Sequence, residues 1–168
     1  MDVDDGGREL ATLVEAARRG DMLAVDALLT RITPYVRSLC GPIALDQGAD
    51  AVQETLVIVF SQLAALREPR ALFGWVRRIA VREAIKVAQR RETPAELPDL
   101  PALSDTQLTV DVADVLSRLA PQHRAVLVLR DVDGLTEEEA ARVLSVPTGT
   151  VKSRLARARA MFRKEWQA

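Results

Sequence analysis

The sequence predicts an all-α protein in which two small helical domains are joined by an extended acidic linker. Apolar residues recur three and four positions apart along most of the 168 residues, a spacing that places them on one face of a helix. Leu, Ala, Arg and Glu, which favour helices, are abundant. Residues 92–107 differ, because they carry three prolines and four acids and lack apolar periodicity. We therefore expect a domain at 1–91, a linker at 92–107 and a domain at 108–168.

The first domain is predicted to be a helical bundle. Residues 1–7 are acidic and contain two glycines, so we expect them to be disordered. Helical patterns then cover 8–19, 21–31, 33–44, 46–66 and 70–91. The last two of these helices have clear apolar faces, formed by Val52, Leu56, Val59 and Leu63 and by Phe73, Val76, Ala80, Ala84 and Val87.

The second domain is predicted to end in a helix-turn-helix. Helical patterns cover 108–119, 121–132, 136–144 and 148–166. Thr136 and Glu139 have the spacing of a capping box, in which each side chain binds the backbone N–H of the other residue. Pro147 lacks an N–H donor and interrupts the pattern. Thr148 is placed to cap the helix that follows.

The last helix has an apolar back and a cationic front. Basic side chains occupy its other faces against a single acid, Glu165. This arrangement suits the major groove of DNA. The alternative is a basic helix whose charges are merely solvated. Its buried stripe is predicted at Val151, Leu155, Ala158 and Phe162.

The net charge of −1 conceals a strong separation of charge along the chain. Residues 67–91 hold eight bases and two acids, and residues 148–168 hold six bases and one acid. Residues 92–117 hold six acids and no base. Because phosphate binding depends on local patches, the balanced total does not argue against a nucleic-acid partner.

Two surfaces of the first domain are candidate binding sites. Basic side chains four positions apart form a ridge along 70–91, which is either a track for a nucleic-acid backbone or a solvated face. Two aromatic residues near its start either stack on unpaired bases or fill the core. A polar patch in the preceding helix is either favoured by the helix dipole or contacts a basic protein partner. These features are the ridge Arg78, Arg82, Lys86 and Arg90, the aromatic pair Phe73 and Trp75, and the patch Asp50, Gln53 and Glu54.

Several classes of function are disfavoured by what the sequence contains. Cys40 is the only cysteine and His123 the only histidine, so an intrachain disulfide is impossible and a metal site or a Cys–His nucleophile is not expected. A Gly-rich phosphate loop is not found either, and we expect neither an enzyme nor a cofactor. The sequence shows no signal peptide and no apolar run of membrane-spanning length. We expect a cytoplasmic protein without membrane insertion.

The second half resembles region 4 of bacterial sigma factors of the extracytoplasmic-function (ECF) group, group 4 of the sigma-70 family. The matching pieces are Leu119-Ala120-Pro121, Arg124, Leu127, Gly134-Leu135-Thr136, Glu139-Ala140-Ala141, Val146-Pro147 and Gly149-Thr150-Val151-Lys152-Ser153-Arg154. The resemblance implies that helix 148–166 reads the promoter −35 element. With Val151 and Leu155 buried, the residues expected at the DNA are Thr148, Gly149, Thr150, Lys152, Ser153, Arg154 and Arg157.

The first half is similar to region 2 of the same family, through ADAVQETLVIVFSQL and FGWVRRIAVREAIKVAQRRE. The resemblance implies that Asp50, Gln53 and Glu54 bind core RNA polymerase. It places the −10 DNA near the ridge and its flanks, at Phe73, Trp75, Arg77, Arg78, Arg82, Lys86 and Arg90. The sequence departs from the family at Ala49, Arg82 and Lys86, where Glu, Asn and Asp are usual, and these departures bear on −10 base selection.

The resemblance as a whole implies a sigma factor that directs promoter-specific initiation and assists strand opening. Its implied partners are core RNA polymerase, promoter DNA and an anti-sigma factor. Two alternatives remain open on the residues: a sigma-like interaction protein that opens promoters poorly, and a stand-alone helix-turn-helix regulator, which would be expected to dimerise on paired half-sites.

Overall fold

The computed structural model describes the backbone of residues 3–90 and 107–167, and the side chains of 6–90 and 111–167. Within these ranges the chain forms eight α-helices and no strand. Their bounds are α1 Val3–Arg18, α2 Met22–Ala44, α3 Gly48–Gln62, α4 Leu72–Arg90, α5 Gln107–Ser117, α6 Pro121–Leu127, α7 Glu137–Leu144 and α8 Thr148–Trp166.

The predicted disorder of residues 1–7 is wrong for 3–7, which belong to α1. Once Val14 and its neighbours anchor a helix in the core, adding a turn costs little, because each further residue gains a hydrogen bond. Most of the predicted linker, 92–106, lies outside the described residues. Gln107, predicted as its last residue, instead begins α5.

The helices predicted at 21–31 and 33–44 are one helix, α2, so the predicted break is wrong. Pro34 and Pro42 lie inside it, where each removes one backbone hydrogen bond. The helix continues because its apolar face continues, and burial of that face outweighs the lost bonds. The fully buried residues of this face are Leu28, Ile32, Val36, Leu39 and Ile43.

The first half is organised around α2, which packs against α1, α3 and α4. Cys40 lies where three of these helices meet, with its Sγ 3.8 Å from Thr55 Oγ1 of α3 and 3.7 Å from the carbonyl oxygen of Ala80 in α4. Burial raises the pKa of the Cys40 thiol to about 11. The residue is therefore an inert part of the core, as expected for a buried structural thiol.

The second half contains the predicted helix-turn-helix, formed by α7 and α8. The capping box is confirmed: Thr136 Oγ1 accepts from the Glu139 N–H at 3.2 Å, and the Thr136 N–H donates to Glu139 Oε2 at 2.7 Å. Ser145 ends α7 in the left-handed region, with φ +54°. The predicted cap at Thr148 is wrong, because Pro147 occupies the N-cap position and its carbonyl accepts from Thr150 and Val151.

The helices of both halves contribute to one continuous hydrophobic core. Helix α6 contacts α2 and α4, and α7 contacts α4. Fully buried residues of the second half, such as Ala125, Leu129 and Val151, belong to the same cluster as Leu28 and Val76. A small second cluster joins α5 to α8 through Val115, Leu119 and Ala158. The division into two domains stays a prediction, since this structure packs the two halves together.

Candidate nucleic-acid and polymerase interfaces

The outer face of α8 presents most of the side chains predicted to contact −35 DNA. Lys152, Ser153 and Arg157 are exposed, as is Gly149, whereas Thr148, Thr150 and Arg154 are half-buried. The opposite side of α8 packs against the core and so orients the helix. The predicted buried stripe is confirmed there: Val151, Leu155 and Ala158 are buried, and Phe162 is half-buried beside them.

Two cations of α8 form exposed ion pairs within the chain, and a DNA phosphate could replace the carboxylate in each pair. Lys152 Nζ lies 3.6 Å from Glu137 Oε2 of α7, and 63% of the Lys152 side chain is exposed. Arg159 forms an ion pair with Asp131, which lies in the segment between α6 and α7. Such exposed ion pairs contribute little to stability, so exchanging a carboxylate for DNA phosphate costs little.

His123 of α6 lies behind this cationic face, and sequence reasoning missed it. Its pKa is lowered, first by burial and then by the positive charges of Arg154 and Arg157. Its Nδ1 is buried and has no hydrogen-bond partner within the described residues. Since the imidazole is held neutral near neutral pH, the charge of the face comes from arginine and lysine. In the sequence, His123 lies between two matching pieces of the resemblance to region 4, Leu119-Ala120-Pro121 and Arg124, and nothing there assigned it a role.

The predicted ridge on α4 is present, but its members differ in their surroundings. Arg78, Arg82, Lys86 and Arg90 are all exposed. Lys86 pairs with Glu83 on its own helix at 3.0 Å, and Arg90 pairs with Glu54 of α3 at 2.7 Å. Arg82 instead donates to Ser145 Oγ in the turn of the helix-turn-helix. The ridge therefore faces solvent on one side and the second half of the chain on the other.

Arg77, on the flank of the ridge, is held by a polar cluster with Tyr35 and Asp133. Its Nε lies 2.5 Å from Asp133 Oδ2 and donates to the Tyr35 hydroxyl at 2.8 Å. That hydroxyl lies 3.2 Å from Asp133 Oδ2 and donates to it. Burial and the charge of Asp133 raise the pKa of Tyr35. Tyr35 and Asp133 were not predicted, and no local pattern identifies residues 98 positions apart as partners.

The two predicted stacking residues lie near the start of α4. The expectation that Phe73 faces inward is wrong: 36% of it is exposed, and its ring packs edge-on against Tyr35 with centroids 5.4 Å apart. Leu72 takes the buried position instead, four residues before the buried Val76. Trp75 is half-buried against the core. Phe73 is therefore the better placed of the two for a base.

The polar patch predicted to bind polymerase lies on an open face of α3. Asp50 and Gln53 are exposed, whereas Glu54 is half-buried and engaged by Arg90. Val57 and Phe60 extend the same helix surface with large exposed apolar side chains, 66% and 49% exposed. The sequence reasoning assigned no role to these two residues. Exposed apolar side chains beside polar ones are typical of a protein-binding surface.

Arg124 is the one buried arginine among the described residues, and it joins the two halves. Its Nε donates to the carbonyl of Ile43 at the end of α2 at 2.7 Å. Its Nη1 donates to the carbonyls of Leu119, at 2.6 Å, and Leu116, at 3.3 Å. Sequence reasoning placed Arg124 within a family motif but assigned it no contact.

Comparison with known proteins gives the family. Residues 109–162 match the family described as Sigma-70, region 4. The ECF RNA polymerase sigma-E factor of Escherichia coli strain K12 is 30% identical over 169 residues, which cover 88% of each chain. The chain belongs to the ECF sigma-factor family. The Haemophilus influenzae sigma-E factor is 28% identical over 177 residues, covering 92% of this ECF sigma factor and 94% of the relative.

Solved structures share the fold of this ECF sigma factor. CnrH in complex with the cytosolic domain of CnrY matches with a TM-score of 0.64 and 24% identity, covering 92% of this chain and 95% of that one. The sigma factor RpoE in complex with the anti-sigma factor NepR from Bartonella quintana matches with a TM-score of 0.66 and 21% identity. The match covers 85% of this chain and 96% of that chain. The predicted all-α fold is confirmed.

None of the helices at 3–90 and 107–167 has the length and apolar character to cross a membrane. In the same ranges, no group of three or more His, Cys, Asp or Glu residues is arranged to hold a metal ion.

Proposed function

We propose that this ECF sigma factor is a dissociable specificity subunit, which binds core RNA polymerase and directs it to promoters by reading −35 and −10 elements. The observation that carries the proposal is the outward cationic face of α8 on a capped helix-turn-helix, in a chain of this family. RNA synthesis itself would belong to the core, so the chain is not proposed to be an enzyme. Its place of action is the bacterial cytoplasm.

Binding of −35 DNA is assigned to the first turns of α8. Lys152, Ser153 and Arg157 are exposed on its outer face and can reach base edges in the major groove. The N-terminus of α8, at Thr148 and Gly149, supplies backbone amides for a phosphate. Thr150 and Arg154, which are half-buried, are placed to support contacts to the DNA backbone.

Binding of −10 DNA is assigned to the ridge of α4 and to the aromatic residues at its start. Phosphates would be held by Arg78, Lys86 and Arg90, and a base extruded from the duplex would stack on Phe73, with Trp75 behind it. Arg77 and Arg82 belong to the same surface. Strand opening would then be driven by the binding energy of unpaired bases.

Core polymerase is proposed to bind the open face of α3. Asp50 and Gln53 provide polar contacts, with Glu54 held beside them by Arg90. An anti-sigma factor is a further proposed partner, supported by the fold shared with RpoE, which was solved with the anti-sigma factor NepR.

The direct test is transcription in vitro with sigma-free core RNA polymerase and sheared genomic DNA of the source bacterium, with sequencing of RNA 5′ ends. We expect discrete starts that share −35 and −10 elements and that are absent with core alone. Arg157→Ala should reduce these starts, whereas the matched control Arg163→Ala, near the end of α8, should not. An absence of chain-dependent starts, with core binding verified in the same samples, would contradict the proposal.

Core binding is tested separately by a pull-down of core polymerase. The double variant Asp50→Ala/Gln53→Ala should bind core more weakly than the wild type. Asp26→Ala, which removes an exposed acid from α2, is the matched control and should bind normally. Equal binding by all three proteins would remove α3 from the proposed interface.

A second candidate function, a sigma-like interaction protein, is favoured by two observations. Arg77 and Arg82 are engaged by the second half, and Arg82 and Lys86 replace residues usual at the −10 surface. Core binding without promoter opening would support this reading. Failure to bind core, combined with sequence-specific DNA binding, would instead favour a stand-alone helix-turn-helix regulator.

A further inference from the structure

We propose that His123 is a further residue of the −35 DNA interface and that it couples DNA binding to proton uptake. A phosphate held beside Arg154 and Arg157 would draw a proton onto the imidazole, so that this ECF sigma factor binds −35 DNA more tightly as the pH falls. The inference rests on the proposed function, because it takes α8 to be the helix that binds −35 DNA.

The position of His123 places it directly behind the face of α8 that is assigned to DNA. It lies in the first turn of α6, and α6 packs against α8. The ring is half-buried, and its Nδ1 is fully buried without a hydrogen-bond partner in the described residues. Arg154 and Arg157 of α8 lie near enough to act on the ring through their charges. These three residues form what we call the histidine–arginine cluster.

In the free protein, the surroundings of His123 oppose the charged form of its ring. Burial removes water from the imidazole, and the positive charges of Arg154 and Arg157 repel a further positive charge. Together they lower the pKa of His123 below its ordinary value of 6.5. A protonated ring also donates from both nitrogens, and the buried Nδ1 has no acceptor among the described residues. The ring is therefore neutral near neutral pH.

Charged side chains around α6 do not offset the two cations of the histidine–arginine cluster. Arg124, the next residue in α6, directs its guanidinium to backbone carbonyls on the side of the first half. Asp131, in the segment that follows α6, pairs with Arg159. Helices α2 and α4 also pack against α6, but none of their described charged residues contributes to the lowered pKa of His123. A compensating negative charge therefore has to come from a ligand.

DNA supplies that negative charge. A phosphate bound beside Arg154 and Arg157 cancels the repulsion that their guanidinium groups exert on the ring. It also attracts the imidazolium directly, because charges around partly buried groups are only weakly screened. The pKa of His123 should therefore be higher in the complex than in the free protein. A proton taken up on binding means, by linkage, that binding strengthens as the pH falls through the pKa of the complex.

The composition of the chain makes this coupling easy to isolate. His123 is the only histidine, and burial raises the pKa of the only cysteine, Cys40, to about 11. Ordinary carboxylates remain ionised above about pH 5.5, and an α-amino group titrates near about pH 8. Proton uptake between about pH 5.5 and pH 7 is therefore expected from His123, and a variant at this position separates it from the α-amino group.

The first measurement is the affinity of the full chain for a fluorescent DNA duplex of mixed sequence, in low salt at about pH 5.5 and about pH 8. Phosphates, which every sequence shares, supply the linked charge. We expect the wild type to bind about three- to tenfold more tightly at the lower pH. His123→Gln keeps a polar side chain that cannot be protonated and should lose this response. The matched control Gln122→Ala, on the neighbouring half-buried residue, should keep it.

The second measurement is the pKa of His123 itself, from NMR of full-length protein that carries isotope-labelled histidine at its single site. We expect a pKa below 6.5 in the free wild type, in the direction that burial and the two arginines impose. It should be higher in free Arg154→Gln and higher in the wild type bound to the duplex. This measurement does not depend on how a variant at position 123 folds.

Three results would overturn the proposal and leave the proposed function standing. The first is a wild-type affinity that does not rise at the lower pH, and the second is a pKa of His123 that DNA leaves unchanged. The third is a pH response that persists in His123→Gln, because another group would then take up the proton. An absence of duplex binding at both pH values would instead contradict the assignment of α8 to DNA, and with it the proposed function.

Discussion

At the scale of single residues, the surroundings of each arginine decide its role. Arg157 is exposed on the outer face of α8, where a guanidinium can pair with guanine. Arg124 has the same side chain but is buried, and it donates to carbonyls of Ile43, Leu116 and Leu119. The first is available to a ligand and the second holds the fold, which predicts opposite outcomes when each is replaced.

Arg157→Ala should weaken binding to the −35 duplex by roughly 1–3 kcal/mol and relax selectivity at one base pair, because a base contact is lost. Fluorescence anisotropy with duplexes substituted at each −35 position measures both effects. An equal loss on every duplex would assign Arg157 to a phosphate instead. Arg163→Ala, also on an exposed turn of α8, is the control and should leave selectivity unchanged.

Arg124→Lys should lower the free energy of unfolding by about 2–4 kcal/mol, because an ammonium cannot reach the separate carbonyls that the planar guanidinium spans. Urea denaturation followed by circular dichroism measures the loss. The control Arg118→Lys changes an exposed arginine of the same half and should leave the denaturation midpoint unchanged. A stable Arg124→Lys protein would mean that water satisfies these carbonyls.

At the scale of elements, local hydrogen bonds fix where α7 begins and how α8 follows. The capping box at Thr136 and Glu139 satisfies backbone N–H groups at the start of α7. Three acids in its first turn also suit the positive end of the helix dipole. By contrast, α8 begins at Pro147 without a side-chain cap, which leaves its first amides open to an anion.

Thr136→Ala should lower the stability of the protein by about 1 kcal/mol, the usual cost of losing a helix cap. Thermal unfolding by circular dichroism provides the measurement. The control is Thr12→Ala, which should have little effect. It removes an exposed hydroxyl that donates to the carbonyl of Arg8 in its own helix. A Thr136→Ala protein with wild-type Tm would show that the cap adds nothing to the packed helix pair.

The capping box should also respond to pH. Hydrogen bonds from the backbone and side chain of Thr136 lower the pKa of Glu139 below its ordinary value of 4.5. Its carboxylate therefore stabilises the fold fully above that value and loses this effect as the pH falls through the lowered pKa. The Tm difference between wild type and Glu139→Ala should be present at pH 7 and shrink in strong acid. A difference that is constant down to acid pH would contradict the assignment.

At the scale of the whole molecule, one hydrophobic core is shared by the two halves of the chain. Helix α2 packs against α3 and α4, α6 contacts α2 and α4, and α7 contacts α4. Cys40 is fully buried in the first half, where its Sγ contacts Thr55 of α3 and Ala80 of α4. Its thiol therefore reports on unfolding of this core.

Cys40 should react very slowly with a thiol reagent such as DTNB, because it is buried and its pKa of about 11 leaves little thiolate at pH 8. The rate should rise steeply in urea, when unfolding exposes the thiol. Absorbance of the released thiolate follows the reaction. Fast labelling of the native protein without urea would contradict the burial of Cys40.

Much of the fold and of the site was predictable because the determining interactions are local. The capping box, the buried stripe of α8 and its exposed face depend on residues within about three helical turns, and these predictions are confirmed. Predictions were wrong where packing between distant residues outweighed a local preference of the sequence. Pro34 did not break α2, because the apolar face on either side of it packs against other helices.

The sequence by itself determined the helical class, the positions of the charged faces and the resemblance that led to the ECF sigma-factor family. Only the tertiary structure decided that Arg77 meets Asp133, that Arg82 meets Ser145 and that Arg124 meets Ile43. These partners lie 56, 63 and 81 positions apart. Periodicity reports which face of a helix is buried and carries no information about which distant element buries it. That choice depends on packing of the complete chain.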